Sequence, residues 1–409
     1  MTPDIIVVGG GAAGMMAAAT AAEAGNSVLL LEHSEKLGKK LYITGKGRCN
    51  ATNRCEPEEF FKNVPHNGRF LFSSVNAFPP EKMMELLEQW GCPLKVERGN
   101  RVFPVSDHSW DVIDALKRRL KHFGVTVVYD NVTGLILEDG AVKGVVTDKT
   151  AYSSKAVILA TGGASYPSTG SDGSGYSLAK SAGHSVTPLT GSLVPLVENG
   201  RYCASMQGLS LKNVSLRLYS GRNKLLFEDF GELLFTHFGL SGPLILSASA
   251  HRDGKGEDRI EIDLKPALDE QKLEARLLRD FSENPNRELA GIMGGLLPHS
   301  MVPVFLERCS LSPKLKVNSV TREQRKTIIH LLKHFDVLIF GPRPIDEAIV
   351  TSGGVSVREI DPKTMASKLV GGLYFAGEII DVDAYTGGFN LQIAWSTGYC
   401  AGKAAAGQF

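Results

Sequence analysis

The feature that most constrains this chain is a glycine cluster set between an apolar run and an alanine-rich stretch near its start. Ile5-Ile6-Val7-Val8 is a continuous apolar run, the pattern of a strand buried on both faces of a parallel sheet. Gly9, Gly11 and Gly14 follow in G-x-G-x-x-G spacing, and residues 12–24 then read as a helix that Gly25 ends. Val28-Leu29-Leu30-Leu31 is a second buried strand, and it closes at Glu32. In this strand–helix–strand context each glycine has a job. Gly9 permits the tight turn, Gly11 lets the backbone N–H groups of Ala12 and Ala13 approach a pyrophosphate, and Gly14 allows helix and strand to pack closely. The helix N-terminus adds partial positive charge where phosphates would sit. Glu32 can accept both hydroxyls of a ribose, and its charge argues against a 2′-phosphate there. The expected fold class is therefore α/β, a Rossmann-type dinucleotide-binding domain.

The rest of the chain alternates in character. Apolar spacing predicts helices over 81–90 and 110–123 and a strand at 125–128. Residues 135–146 read as a hairpin turning on Asp139-Gly140. Residues 156–160 form another apolar strand running into Thr161-Gly162-Gly163, and 174–182 a helix closed by Gly183. Near Gly191 the pattern becomes alternating, as in Val214-Ser-Leu-Arg-Leu-Tyr219 and Arg259-Ile-Glu-Ile-Asp-Leu264, which argues for antiparallel strands with one wet face. Helical spacing returns over 268–281, 301–309 and 322–334. Parallel-strand character resumes at Ala348-Ile-Val350 and Leu373-Tyr-Phe375, before a last Ala/Gly-rich helix. The expected organisation is a cofactor domain over 1–190, an inserted antiparallel β-rich substrate domain over 191–265, a helical subdomain over 266–335, and the remainder of the cofactor domain over 336–409.

Charge and cysteine usage narrow the classes. Lys+Arg number 45 against Asp+Glu 44, a formal charge of +1, so no global field favours nucleic acid or an anionic membrane. The six cysteines are scattered, with no CxxC pair and no metal-ligand spacing, which reads as reduced thiols and no metal site. No apolar run approaches the roughly 20 residues of a transmembrane helix. The chain enters a strand almost at once, without a basic leader, so secretion is not expected. The expectation is a cytoplasmic protein with neither a nucleic-acid nor a membrane partner.

The first motif alone does not separate FAD from NAD. Ala160-Thr161-Gly162-Gly163 follows an apolar strand, and Gly371-Gly-Leu-Tyr-Phe-Ala-Gly377-Glu378 is a strand ending in glycine and acid, with Asp381 close behind. This order resembles the glutathione reductase and fumarate reductase superfamily, in which such a segment lies near the ribityl chain, and it implies FAD. Thr386-Gly-Gly388-Phe389-Asn390-Leu391 opens the last helix. Its first-turn N–H groups are candidates to face the N1/O2 edge of a flavin and stabilise the anionic reduced form.

Four longer motifs carry a more specific resemblance. They are Thr44-Gly45-Lys46-Gly47-Arg48-Cys49-Asn50 with Thr52-Asn53, Gly162-Gly-Ala-Ser-Tyr166-Pro with Gly170, Gly231-Glu-Leu-Leu-Phe-Thr-His237-Phe-Gly-Leu-Ser-Gly-Pro243, and Tyr385-Thr-Gly-Gly-Phe-Asn-Leu-Gln-Ile-Ala-Trp395. In this order they resemble the bacterial three-domain flavoproteins labelled NAD(P)/FAD-dependent oxidoreductases, a family that includes aminoacetone oxidase and a bile-acid reductase. The resemblance runs nearly end to end. It implies FAD, an inserted β-domain over the flavin and an extra helical domain, but no single substrate. Where relatives often carry a third glycine in the first motif, this chain has Lys46. The loop offers backbone N–H groups, Arg48 and asparagines to phosphates or to the flavin ring. Lys40, just ahead of it, and Val132, beyond the 125–128 strand, complete the candidate cofactor contacts. Cys49 lacks a CxxC partner and is expected to contribute to the loop rather than as a redox thiol.

His237 tunes easily around neutral pH and is the candidate for proton transfer coupled to hydride movement, with Tyr166 and Tyr385 as alternatives. The expected function is hydride transfer between a small organic substrate and flavin N5. With no second dinucleotide fingerprint in the chain, NAD(P)H would bind only transiently at the flavin face. A reductase is favoured. An oxygen-using oxidase of an amine-type substrate, an FAD-dependent RNA-modifying protein and a flavin-binding sensor without turnover are the alternatives.

Overall fold

The computed structural model describes residues 2–252 and 256–409. They form two compact units, one running to Ser192 and resuming over Pro344–Phe409, the other Leu193–Arg343.

In the first unit a five-stranded parallel sheet has the order Leu373–Phe375, Ala156–Leu159, Ile5–Val8, Val28–Glu32, Thr126–Tyr129. Val7 lies opposite both Leu30 and Ile158, so the first strand is central. Its four residues are all buried, as are those of Val28–Glu32 and Ala156–Leu159, which explains the unbroken apolar runs. The helix Ala12–Glu23 is buried on nearly every face. One of its neighbours is the chain's last helix, Phe389–Ala405. A methyl group at Gly398 would stand 2.5 Å from the carbonyl oxygen of Ala13, and one at Gly402 would stand 2.5 Å from that of Ala17. The two helices touch backbone to backbone, which requires glycine on the later one. The hairpin Val132–Glu138 with Ala141–Thr147 turns on Asp139 and Gly140, both at positive φ (51° and 72°), as the Asp-Gly pair predicts.

The second unit is a closed six-stranded antiparallel barrel, in the order Leu196–Glu198, Gly239–Ser241, Leu225–Thr236, Ser210–Tyr219, Asp258–Asp263, Phe335–Pro342. Leu216, Leu218, Ile260, Ile262, Val337 and Ile339 alternate into its core. The helices Glu270–Glu283, Val302–Arg308 and Arg322–Lys333 contribute Leu277, Phe305 and Ile328 to that same core.

Two expectations need correction. The cofactor domain does not resume at residue 336. Phe335–Pro342 alternates buried and outward residues and pairs with both Asp258–Asp263 and Leu196–Glu198, so it closes the barrel. An alternating eight-residue run cannot sit in a sheet covered on both faces. Nor is the run at Ala348–Val350 a parallel strand: Val350–Ser352 pairs antiparallel with Thr190–Ser192. A triplet of apolar residues carries no signal of its partner's direction. Among the described residues no helix is long and apolar enough to cross a membrane.

Gly398→Val should cost about 1–3 kcal/mol through overpacking against the Ala13 backbone. It should lower the thermal midpoint in calorimetry. Gly341→Ala, whose methyl would meet nothing within 4 Å, serves as the silent control. Equal midpoints for both variants would contradict the close helix contact.

Candidate functional site

The C-terminal ends of the parallel strands build the site, as expected for an open α/β sheet. Gly9 has φ 101°, and a methyl there would stand 2.5 Å from the Ala160 carbonyl oxygen; one on Gly14 would stand 1.8 Å from that of Gly9. Gly11 differs: its φ is −79°, and a methyl on it would meet nothing within 4 Å. Gly9 and Gly14 are thus required by packing, whereas Gly11 faces open space in front of the helix. The first intrahelical bond there runs from Met15 N to Gly11 O at 3.0 Å, which leaves the N–H groups of Ala12, Ala13 and Gly14 ahead of it. Glu32, 8% exposed, accepts from Gly10 N and Ser34 N, each at 2.7 Å. Each carboxylate oxygen keeps a further lone pair for a ribose hydroxyl. Val132 is buried at the start of its strand.

A second cluster joins distant segments. Lys40 Nζ donates to Glu378 (2.8 and 3.1 Å) and to Ser165 Oγ (2.8 Å). Glu378 also accepts from Thr351 N at 2.8 Å and Ser165 Oγ at 3.1 Å, and Thr351 Oγ1 accepts from the N–H groups of Ala164 and Ser165. Gly163 lies under this cluster, where a methyl would come 2.4 Å from Thr351 Oγ1. Gly377, at φ 77°, sits so close to Ala13 that a methyl would lie 2.8 Å from its Cβ. The Gly377–Glu378 turn and the first helix therefore meet. Asp381 follows, and burial pushes its carboxyl above the ordinary range.

The loop at residues 44–50 is held in left-handed conformations at Gly45 (58°), Lys46 (59°), Gly47 (85°) and Cys49 (57°). Such runs present successive N–H groups to an anion. The left-handed backbone at Lys46 is a conformation that glycine adopts more readily than lysine. Arg48 is already engaged: its Nε donates to Asp107 at 2.7 Å, Glu97 takes its Nη2, and the guanidinium lies 4.1 Å from the Phe103 ring. It fastens the loop rather than offering a free cation. Cys49 is fully buried and burial pushes its thiol up to about 12, so only its backbone can face a ligand. Asn50 Oδ1 is buried without a hydrogen-bond partner, as are Thr161 Oγ1 and Ser171 Oγ. Each such group costs about 1–3 kcal/mol until something donates to it.

That loop docks on the last helix. Asn53 Nδ2 donates to Gly387 O at 2.9 Å, Trp395 Nε1 donates to Ala51 O at 2.8 Å, and a methyl on Gly388 would collide with Thr52 O at 2.3 Å. The first intrahelical bond is Gln392 N to Gly388 O, so the N–H groups of Phe389, Asn390 and Leu391 precede it, and no acid occupies the first turn. The Asn390 side chain is used internally: it accepts from Ala384 N and donates to Ala384 O and Tyr385 O. Only its backbone is left for a flavin. Tyr385 and Tyr166 are half-buried in this unit, Tyr166 at φ 54°. His237 belongs to the second unit, exposed in the turn between Leu225–Thr236 and Gly239–Ser241 that Thr236 Oγ1 clasps. Thr351 lies in no motif, and Ser165, although inside the motif at residues 162–167, has nothing in the sequence to mark its hydroxyl as a contact.

An anion cradle at one helix end, a carboxylate set for a ribose, and a second acid-free helix end suit a dinucleotide with a redox ring. The chain is an FAD-dependent oxidoreductase on a Rossmann-type fold. The pattern of the HI0933-like protein Rossmann domain family matches residues 3–404, and the chain belongs to that family. It is 32% identical over 394 residues to a 3-dehydro-bile acid delta(4,6)-reductase of Clostridium scindens, covering 93% of this chain and 92% of that protein. It is 29% identical over 385 residues to a ribosomal RNA dihydrouridine synthase of Haemophilus influenzae, covering 92% of each. A 3-ketosteroid delta1-dehydrogenase of Sterolibacterium denitrificans shares the fold, with a TM-score of 0.52 over 100% of both chains at 15% identity.

Gly11→Val should fold with a near-parental thermal midpoint yet lose FAD affinity by at least about 100-fold, since its side chain would fill the open cradle. Flavin absorbance after equilibrium dialysis measures this. Parental FAD retention would place the pyrophosphate elsewhere.

Proposed function

We propose that this protein reduces a carbon–carbon double bond conjugated with a carbonyl in a small organic substrate, with NAD(P)H as the electron source. The observation that carries this reading is the chemistry common to the two relatives. Hydrogen is added to a double bond conjugated with a keto group in the first and with a ring carbonyl of uracil in the second. Both likenesses span more than nine-tenths of the chain, so the reading does not rest on a shared cofactor domain alone.

FAD, when bound, supplies the two electrons as a hydride. The chain's own groups do the rest. The N–H groups of Phe389, Asn390 and Leu391, with no acid in that turn, favour negative charge at the ring edge they face. The strapped loop at residues 44–53 would hold that ring. Substrate choice belongs to the barrel unit, where His237 remains a candidate proton carrier beside Tyr166 and Tyr385 of the first unit. All six cysteines are free thiols, in keeping with a reducing cytoplasm.

A second reading has its own support. The relative named for ribosomal RNA is matched over 92% of its length, at 29% identity against 32% for the bile-acid enzyme. The near-neutral total charge weighs only against a global field, and a local basic surface is enough to hold RNA.

The test reduces the FAD-loaded protein with NADH or NADPH without oxygen, then adds cyclohexenone, a steroid enone, cyclohexene or a uridine-containing ribosomal RNA transcript. The enones should reoxidise the flavin and cyclohexene should not. Reoxidation by RNA alone would transfer the assignment to the second reading. Reduction of the flavin by amines, with oxygen as the only acceptor, would make the protein an oxidase.

A further inference from the structure

A histidine that no motif singles out is held against the loop leading into the last helix. His66 forms an antiparallel bridge with Asp383, and its Nδ1 lies 2.8 Å from Asp383 Oδ1. The carboxylate is fully buried. It also accepts from Ser192 Oγ at 2.6 Å and Ser352 Oγ at 3.1 Å, while the imidazole is 40% exposed. Three donors offset the cost of burying this charge. An ionised carboxylate only accepts, so Nδ1 carries the hydrogen and Nε2 is the working edge.

Two further bonds fasten the surrounding backbone. Tyr385 N donates to Asn63 O at 2.9 Å, and Asn67 Nδ2 donates to Asp381 O at 2.7 Å. On the other side Asn390, in the first turn of the last helix, grips Ala384 and Tyr385. Ser352 follows Thr351, the residue that holds Glu378. The imidazole is thus tied, through Asp383, to the loop that leads into the last helix and to the strand that holds Glu378. A histidine that merely decorated the surface would need neither a buried carboxylate nor a doubly fastened backbone.

Resting on the reductase reading above, we propose that His66 donates the proton that completes reduction of the conjugated bond, with Asp383 as its positioning residue. With hydride delivered to the β-carbon, saturation needs one proton on the α-carbon. His66 Nε2 releases it, the imidazole becomes neutral, and solvent returns a proton to it. Electrons enter from the nicotinamide, and nothing else is consumed. The hydrogen bond that the ring donates to Asp383 raises the affinity of the ring for that proton, burial opposes it, and the charges of Asp383 and Asp381 add to it.

His66→Ala and His66→Gln test this in the FAD-loaded protein. Both should keep the flavin spectrum. Anaerobic reoxidation by cyclohexenone should slow by about 10²–10⁴-fold, and added imidazole should restore part of the rate in His66→Ala. Reoxidation by ferricyanide, which takes electrons without a proton, should not change. In the parent, NMR of labelled histidine should place the His66 titration above the ordinary value of about 6.5, and Asp383→Asn should lower it. Ser192→Ala, which removes one donor to the carboxylate and so strengthens its pull on the ring, should move that titration upward and covers the case in which Asp383→Asn fails to fold. Equal slowing of ferricyanide and cyclohexenone would reduce His66 to a structural residue, and parental rates with both would remove its role altogether. If the parent itself is reoxidised by no enone, the reductase reading falls first and takes this role with it.

Discussion

The contact on which the first unit depends is that between its first and last helices. The chain leaves this unit at Ser192 and comes back at Pro344, and its final helix must then find a helix laid down at the beginning. It does so through Gly398 and Gly402, set against the backbone carbonyls of Ala13 and Ala17. Side chains there would hold the helices apart, and the Gly377 turn could not reach Ala13. Without that approach, the N-terminal ends of the two helices would stand further apart. The alanine-rich composition of Ala12–Glu23 follows from the same demand, because a helix approached at backbone distance cannot carry bulk.

Charge placement then follows from which acids are satisfied internally. Glu378 is bound by a lysine, a hydroxyl and a backbone N–H, which ties residues 40, 165, 351 and 378 together. It acts as a clamp on the strand ends. Glu32 is different, since its two backbone donors leave lone pairs outward. Two residues apart in one loop, Asp383 has three donors, while burial raises the carboxyl of Asp381.

What a single sequence discloses depends on whether the signal is local. The βαβ unit was legible because strand burial, glycine geometry and the terminal acid fall within one short stretch. The Asp139-Gly140 hairpin was legible for the same reason. Phe335–Pro342 was assigned to the wrong unit because its alternation is clear but its partners, Leu196–Glu198 and Asp258–Asp263, lie far away in sequence. Side-chain direction was the other blind spot. Arg48 and Asn390 have the chemistry of ligand contacts, yet their polar atoms go to Glu97, Asp107 and the backbone at 384–385. Their motif positions are about building the loop, and the backbone of that loop is what remains for the cofactor.

That division between side chains that fasten and backbone that binds accounts for how the site sits on irregular structure. A loop in left-handed conformations, such as residues 45–49, is costly to order and would wander if left alone. Here each irregular segment is nailed at several points: Asn53 to Gly387, Trp395 to Ala51, Asn390 to Ala384, Asn67 to Asp381. The fasteners lie between segments remote in sequence, so the order of any one loop depends on the others being in place. Some orphaned polar groups, such as Asn50 Oδ1, lie on these fastened segments, while others, such as Asp258 Oδ1, lie in the barrel. Within the first unit, Asn50 Oδ1, Thr161 Oγ1 and Ser171 Oγ fall on or beside the motif segments that a bound dinucleotide would complete.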